Sequence, residues 1–568
     1  MAKRTFLILG WMLATGLASS AAMAQTVLPG SPQQPDPNRD RFPQQVPLPQ
    51  PLPKTDKPVL PDQAPPSTTS PTQSITIRSI SVTGNTLFSK DQINKITQPL
   101  IGQSLNRDEI LSKIVAPITK LYLEQGYLTS RAELVSSENG DLRIVILEGS
   151  LSRIDVEGAD RLNPDYIRDR IKLGVTTPLN AAKLEEQLRL LRADPLLDNI
   201  EASLRRGTEA AQSILIVRIQ EAKNLQVGLS FDNYSPPSVG SERGSAFVRY
   251  RNLTGIGDEI TAAYSVSTGA SNVYDLIYRA PLNPMNGTFQ LRILPNTFKV
   301  TDSNFSAFGI RGNSELYEVS LRQPLLRTLT EEFALSIAFA IQNGQTFLFN
   351  NIPTAFGIGP SADGLTRTNI FKFGQDYLSR DEGGAWSLRS QFALGVGTLN
   401  STLNQDPVPD GRFFSWLGQI QRLQLLSNGA LLLFQADAQF SFDPLLASQQ
   451  FVIGGGQSIR GFRQNARQGD NGFRATLEAR FPLARNESGV PILQIAPFVE
   501  GGGIWNVNGN PNILPDQRYL VGAGLGLLWE PIKRFNIRLD YGVPLINLAD
   551  RGSNLQDNGF YFSLNYQP

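Results

Sequence analysis

Neither cysteine nor histidine occurs anywhere in the 568 residues. Without cysteine there is no disulfide framework and no thiolate metal site. Without histidine the chain lacks the commonest general base and the commonest metal ligand. Composition therefore argues against a hydrolytic triad or a zinc centre. No metal, cofactor or catalytic residue is expected, and the chain does not read as an enzyme. Charge of one sign is lacking too: 52 Lys and Arg stand against 51 Asp and Glu, a net +1. That balance gives no support to nucleic-acid binding. Beyond the first residues, no window offers the ~18 continuous apolar residues that a spanning helix needs.

What is present begins with a leader. Lys3 and Arg4 precede an apolar run from Phe6 to Ala18, and Ala22-Met23-Ala24 fits an A-x-A cleavage pattern. Residues 1–24 are expected to be a signal peptide, with Gln25 as the mature start. Residues 25–74 hold fourteen prolines in fifty positions. Such a segment lacks backbone donors and favours extended polyproline conformation, so it reads as a tether.

Order begins at Ile75. "ITIRSISVTGN" alternates and ends in a turn, Ser89 caps a short helix, and Arg107 to Gln125 carries an apolar stripe at helical spacing. Two strands follow, "LTSRAELV" and "DLRIVILEG". The same β-α-α-β-β order then recurs, from "SRIDVEGA" through two helical segments to "IEASLRRG" and "SILIVRIQEA". Two tandem units, 75–149 and 150–222, form an internal repeat. Their order resembles polypeptide-transport-associated (POTRA) domains, which lie in the periplasm and act through an exposed sheet edge.

From about Lys223 the texture changes to period-two alternation. In "RATLEARFPL", Ala475, Leu477, Ala479 and Phe481 oppose Arg474, Thr476, Glu478 and Arg480; in "FNIRLDYGV", Phe535, Ile537, Leu539 and Tyr541 oppose Asn536, Arg538 and Asp540. Sixteen candidate strands fall between Leu225 and Pro568, most of about 8–13 residues, the length a tilted membrane strand needs. Gaps after even strands are mostly short, as in "PLNPMN" and "SRDEGG". Gaps after odd strands are mostly long, with 268–271 a short exception. A soluble sandwich has no reason for that parity. The expected fold is therefore α+β periplasmic modules followed by a transmembrane antiparallel β-barrel of about sixteen strands over 223–568. Tyr250, Trp386, Trp416, Trp529 and Tyr566, near strand ends, suit interfacial girdles.

The longest gap, 443–472, is the sixth outer loop and contains "IGGGQSIRGF". A nucleotide loop needs a strand before it, a helix after it and G-x-G-x-x-G; here Ile459 stands at the sixth position from Gly454 and no helix follows. "GAGLG" at 522–526 lies inside a strand and fails likewise. The segment Gly454, Gly455, Gly456, Ser458, Arg460, Gly461 and Phe462 is instead similar to the loop motif of two-partner secretion transporters (TpsB), in the superfamily that also contains the Bam-type barrel insertases. The resemblance covers nearly all of the expected mature chain. It implies that the loop folds back into the barrel and that its arginine meets an acidic residue of an F-x-D-x-G motif on strand thirteen. That motif appears as Phe498, Glu500 and Gly502, with Glu in place of Asp. Alternation supports the match, because Leu493, Ile495 and Val499 facing lipid put Phe498 and Glu500 in the lumen. A carboxylate on the lipid face near the midplane costs a few kcal/mol.

The resemblance implies an outer-membrane pore that secretes one cognate polypeptide, a large β-helical exoprotein captured unfolded by the POTRA domains. The pore is expected to act as a monomer in outer-membrane lipid. A barrel-assembly insertase and a passive porin are the alternatives; tandem periplasmic modules argue against the porin.

Overall fold

The computed structural model describes residues 74–302, 306–349 and 351–568, so the expected signal peptide and all but the last residue of the proline-rich tether lie outside the described residues. The chain divides near residue 222 into two units, each described by itself.

The first unit holds both repeats. In the first, Ser79–Thr83 runs parallel to Asp141–Leu147, which pairs antiparallel with Arg131–Glu138. Ser89 begins the helix Lys90–Thr97 with a capping box, its side chain accepting from Gln92 N–H while the Gln92 side chain accepts from Ser89 N–H. The longer helical pattern resolves into α-helices Arg107–Ile110 and Ala116–Glu124 joined by a π-helical segment, Leu111–Val115. Its stripe holds as expected: Ile110, Ile114, Ile118 and Tyr122 are buried against Leu142, Ile144 and Ile146. A two-residue pairing of Ile75–Thr76 with Ser104–Leu105, too short to show periodicity, was not expected.

The second repeat has strands Ser150–Glu157, Leu197–Arg206 and Gln212–Glu221, again with the last strand in the middle of the sheet. Helices Pro164–Lys172 and Ala181–Arg192 cover one face, where Ile167, Ile171, Leu184, Leu188 and Leu191 are buried. Asn180 has two tasks. Its side-chain oxygen accepts from Ala182 and Lys183 N–H at the helix start, and its amide nitrogen donates to the Gln125 carbonyl of the first repeat at 3.2 Å. Ala181 N–H to Gly126 O (2.9 Å) and Leu179 N–H to Gly149 O (2.7 Å) complete a backbone joint between the repeats.

The second unit is a closed antiparallel barrel of sixteen strands, from Leu225–Asp232 to Phe560–Tyr566. Its seam pairs Asp232 with Ser563 and Leu229 with Tyr566. Closure over four residue pairs joins the first strand to the last, so the barrel does not present an open sheet to a bilayer, where no water reaches the hydrocarbon. Period-two alternation sorts the side chains. Val227, Leu229, Phe231, Ile337, Phe371, Leu525 and Leu539 point outward and are exposed, a surface water would not tolerate but lipid does. Among the expected girdle residues, Trp386, Trp529 and Tyr566 lie on this outer surface near strand ends.

Asn180→Ala removes a helix cap and one bond of the joint. It should destabilise residues 75–222 by about 1 kcal/mol. Ile118→Ala opens a core cavity and should cost about 2–5 kcal/mol. Thermal denaturation of the isolated periplasmic unit checks both.

Candidate functional site

Strands eleven and twelve, Leu431–Ser441 and Asn471–Arg485, are joined by the sixth outer loop. It is not an open excursion. A three-residue hairpin, Phe451–Ile453 with Arg467–Gly469, forms its stem. Beyond the stem the chain turns at Gly454 and Gly455, both at φ near +105°, a region costly for any residue with a Cβ. The Ser458 hydroxyl accepts from Gly454 N–H at 3.2 Å and closes the turn. Gly456 lies in ordinary backbone territory and is small for another reason: a Cβ there would meet the Tyr234 ring at 2.4 Å.

The turn delivers Arg460 onto the inner wall. Its guanidinium is 3% exposed, and three carboxylates from three strands surround it. Nε and Nη2 donate to Glu500 Oε1 at 3.0 and 2.5 Å, and the Arg460 backbone N–H donates to Glu500 Oε2 at 2.6 Å. Nη1 donates to Asp540 Oδ1 at 2.8 Å and stands 3.0 Å from Glu478 Oε2. The Phe498 ring closes one face, its centroid 3.3 Å from the guanidinium carbon, a cation–π contact. Two further arginines balance the charge. Arg538 bridges Glu478 (2.6 Å) and Asp540 (2.7 Å), and Arg480 donates to Glu478 at 2.7 Å. Three guanidiniums thus meet three carboxylates in one cluster, buried except for the half-buried Arg538. Charge-assisted bonds of this kind contribute roughly 1.5–3 kcal/mol each, enough to offset the loss of hydration only because nearly every donor finds an acceptor.

Sterics reinforce the charge. Gly461 sits at φ +101°, and the loop backbone presses on two wall glycines: a Cβ at Gly522 would lie 2.0 Å from Arg460 O, and one at Gly542 would lie 2.6 Å from Gly461 N. Gly522, which opens the "GAGLG" stretch of strand fourteen, and Gly542 of strand fifteen are therefore the bed on which the loop tip rests. Gly502 plays the same part within the wall, where a Cβ would meet Phe473 O at 2.5 Å. Phe462 packs with Phe451, Ile453, Ile459, Ile504 and Leu520. Its carbonyl accepts from the Tyr561 hydroxyl of the last strand at 2.5 Å, and that hydroxyl accepts from Gly461 N–H at 2.9 Å.

Further out, the loop is tied to its neighbours. Arg463 donates twice to Asp557 at 2.8 Å, which raises the Arg463 pKa, and Arg467 donates twice to Asp550, which holds that carboxyl below its usual value. Asp470, with no exposed surface, accepts from Leu445 N–H, Gln450 Nε2, Val507 N–H and Asn510 Nδ2, joining the sixth loop to the seventh.

The profile of the haemolysin secretion/activation protein ShlB/FhaC/HecB family matches residues 211–528, more than half of the chain, and that of the ShlB-type POTRA domain matches 75–149. The chain belongs to the ShlB/FhaC/HecB family. The heme/hemopexin transporter protein HuxB of Haemophilus influenzae strain 86-028NP is 22% identical over 84% of this chain and 83% of its own. The hemolysin transporter protein ShlB of Serratia marcescens is 24% identical over 75% and 76%. The solved CdiB from Escherichia coli superposes with a TM-score of 0.66 at 20% identity, covering 90% of this chain and 93% of its own, and so shares the fold. BamA from Haemophilus ducreyi lacking POTRA domains 1–3 superposes less well, at 0.54 and 16% identity over 87% and 100%. The transporter is an outer-membrane secretion pore of the two-partner kind, with its POTRA domains in the periplasm, rather than a barrel-assembly insertase.

All ten residues singled out in the sequence lie in or beside this constellation. Alternation places Glu478, Arg480, Arg538 and Asp540 on the polar face of their strands but does not join them to the site. Their signal was alternation alone, which marks every lumen-facing residue alike. Gly542 and Tyr561 carried no signal at all, and Gly522 was visible only as part of a glycine-rich strand.

Glu500→Gln leaves a buried guanidinium short of charge. The change should destabilise the docked loop by about 3–5 kcal/mol. Adding Arg460→Ala should recover part of that loss, because the two residues are coupled. Hydrogen exchange of residues 454–464 in the wild type, both single variants and the double variant measures the cycle.

Proposed function

We infer that the transporter exports its partner by threading it through a lumen whose passage the sixth loop controls. The docked Arg460 is the resting arrangement of that control. The observation that carries this reading is the placement of a loop guanidinium, with its own backbone N–H, on carboxylates from strands twelve, thirteen and fifteen. A loop held only for shape would need apolar packing, which the transporter also has. A balanced ion cluster adds an attachment that is specific in geometry and lost in one piece when the arginine leaves. Glu500 serves in place of Asp: the longer side chain reaches both the side chain and the backbone of Arg460.

The partner is a single cognate polypeptide, rich in β structure once folded outside. It arrives extended in the periplasm and adds as a strand to an exposed edge of a POTRA sheet. The transporter works as a monomer in outer-membrane lipid. It performs no covalent chemistry, and folding of the partner beyond the membrane draws export forward.

Arg460→Glu places a fourth carboxylate in the cluster. Secretion of the partner should fall at least tenfold while the level of heat-modifiable barrel in the outer membrane stays at the wild-type value. Immunoblots of culture supernatant and of membrane fractions give the two readings. Normal secretion at normal barrel level would sink the proposed control.

A further inference from the structure

Away from the sixth loop, the inner wall carries one-to-one pairs such as Arg292–Asp275 and Lys372–Glu318, but two groups are not balanced in charge. On strands two to four, Glu259 is shared by three arginines: Arg279 at 2.8 Å, Arg251 at 3.6 Å and Arg249 at 3.8 Å. Register explains the grouping, because Arg251, Glu259 and Arg279 lie directly opposite one another across three strands. On strands six to nine the pattern repeats. Arg322 stands 2.7 Å from Glu332 and 3.5 Å from Asp376, Arg327 stands 3.5 Å from Glu332, and Arg389 stands 3.7 Å from Asp376. Six guanidiniums therefore meet three carboxylates among the described residues of these two groups, against three and three at the Arg460 cluster. Two neighbouring carboxylates narrow the excess without removing it: Glu331 accepts from the Tyr377 hydroxyl, and Asp258, fully buried in a turn, accepts from the Tyr278 hydroxyl and Thr254 N–H.

Position gives the excess its meaning. Strand two ends at Arg251, strand three begins at Glu259, strand six ends at Arg327 and strand seven begins at Glu331. These are the strand ends next to the inner turns, on the periplasmic side. The arginines lie on the inward phase of each strand, opposite exposed Val248, Tyr264 and Leu321 on the outward phase. They are partly open to the lumen, with side-chain exposures of 21% for Arg251, 36% for Arg279 and 35% for Arg322. Like charges on a confined wall of low dielectric focus their field into the opening and raise the local concentration of the opposite charge. Guanidiniums are also suited to bidentate contact with carboxylates.

We propose that this arginine-rich arc at the periplasmic end of the lumen is a binding surface for acidic segments of the exported polypeptide. It selects for Asp- and Glu-bearing stretches at entry and against Lys- and Arg-rich ones. The proposal rests on the lumen being the path of the exported chain, but it does not require the sixth loop to be the control. The two therefore fail separately: one in secretion by the Arg460 variant, the other in peptide binding by the variants below.

The test uses the full-length transporter in detergent and two fluorescent twenty-residue peptides, one alternating Glu with Gly and one alternating Lys with Gly. Anisotropy at low salt should show binding of the Glu peptide, weakening steeply as salt is added, and no comparable binding of the Lys peptide. Arg251→Gln/Arg279→Gln/Arg322→Gln should weaken the Glu peptide about tenfold, the scale on which focused charge raises encounter. The triple Lys variant keeps the charge and should retain binding, which separates lost charge from a damaged barrel. Heat-modifiability of both variants confirms that each barrel is folded. A Glu peptide that does not bind, a Lys peptide that binds as well, or binding untouched by the Gln variant would each overturn the proposal.

Discussion

A guanidinium taken out of water must be met on every side, and the transporter is built around one that is. Arg460 reaches its pocket from a loop, yet its acceptors belong to strands twelve, thirteen and fifteen. The barrel must therefore close in one register for Glu478, Glu500 and Asp540 to converge. A slip of one residue in any of those strands would turn the carboxylate to lipid. Docking of the loop and correct closure of the barrel are consequently one condition. The wall glycines make the same point sterically, since Gly522 and Gly542 leave room for the loop backbone where no other residue would.

The docked state is firm but divisible. The Arg460 cluster, the apolar packing of Phe462 and its neighbours, and the outer pairs Arg463–Asp557 and Arg467–Asp550 form three tiers from lumen to surface. The outer pairs are partly exposed and weak. The inner cluster is strong only while complete, because removing one member leaves its partners buried without compensation. Such an attachment holds a single geometry at rest and can be released as a unit.

Much of this architecture was legible in the sequence. Alternation is a direct print of a two-sided wall, so the sixteen strands and their inward faces could be read residue by residue. Parity of gap length then gave the direction of the chain through the membrane. The Arg460–Glu500 pair was legible because a loop motif and a strand motif resemble those of one family. Asp540 and Glu478 were not, because their approach to Arg460 spans 80 and 18 residues and depends on barrel curvature that no local pattern records. The loop's own hairpin, three residues a side, was too short for periodicity. The glycines of strand fourteen were visible, but the reason for Gly522 lies in a segment some sixty residues earlier in the chain.

For the partner to pass, the sixth loop must leave its docked position. The absence of cysteine from the whole chain allows a clean test. Cysteines replacing Arg463 and Asp557, joined by a short bis-thiosulfonate reagent, would tether the loop to the eighth outer loop where the two now pair. Secretion by this variant, measured in cells before cross-linking, after it, and after reduction, decides the matter. If the loop must undock, export stops on cross-linking and returns on reduction. Export that continues through a fully cross-linked barrel would contradict it.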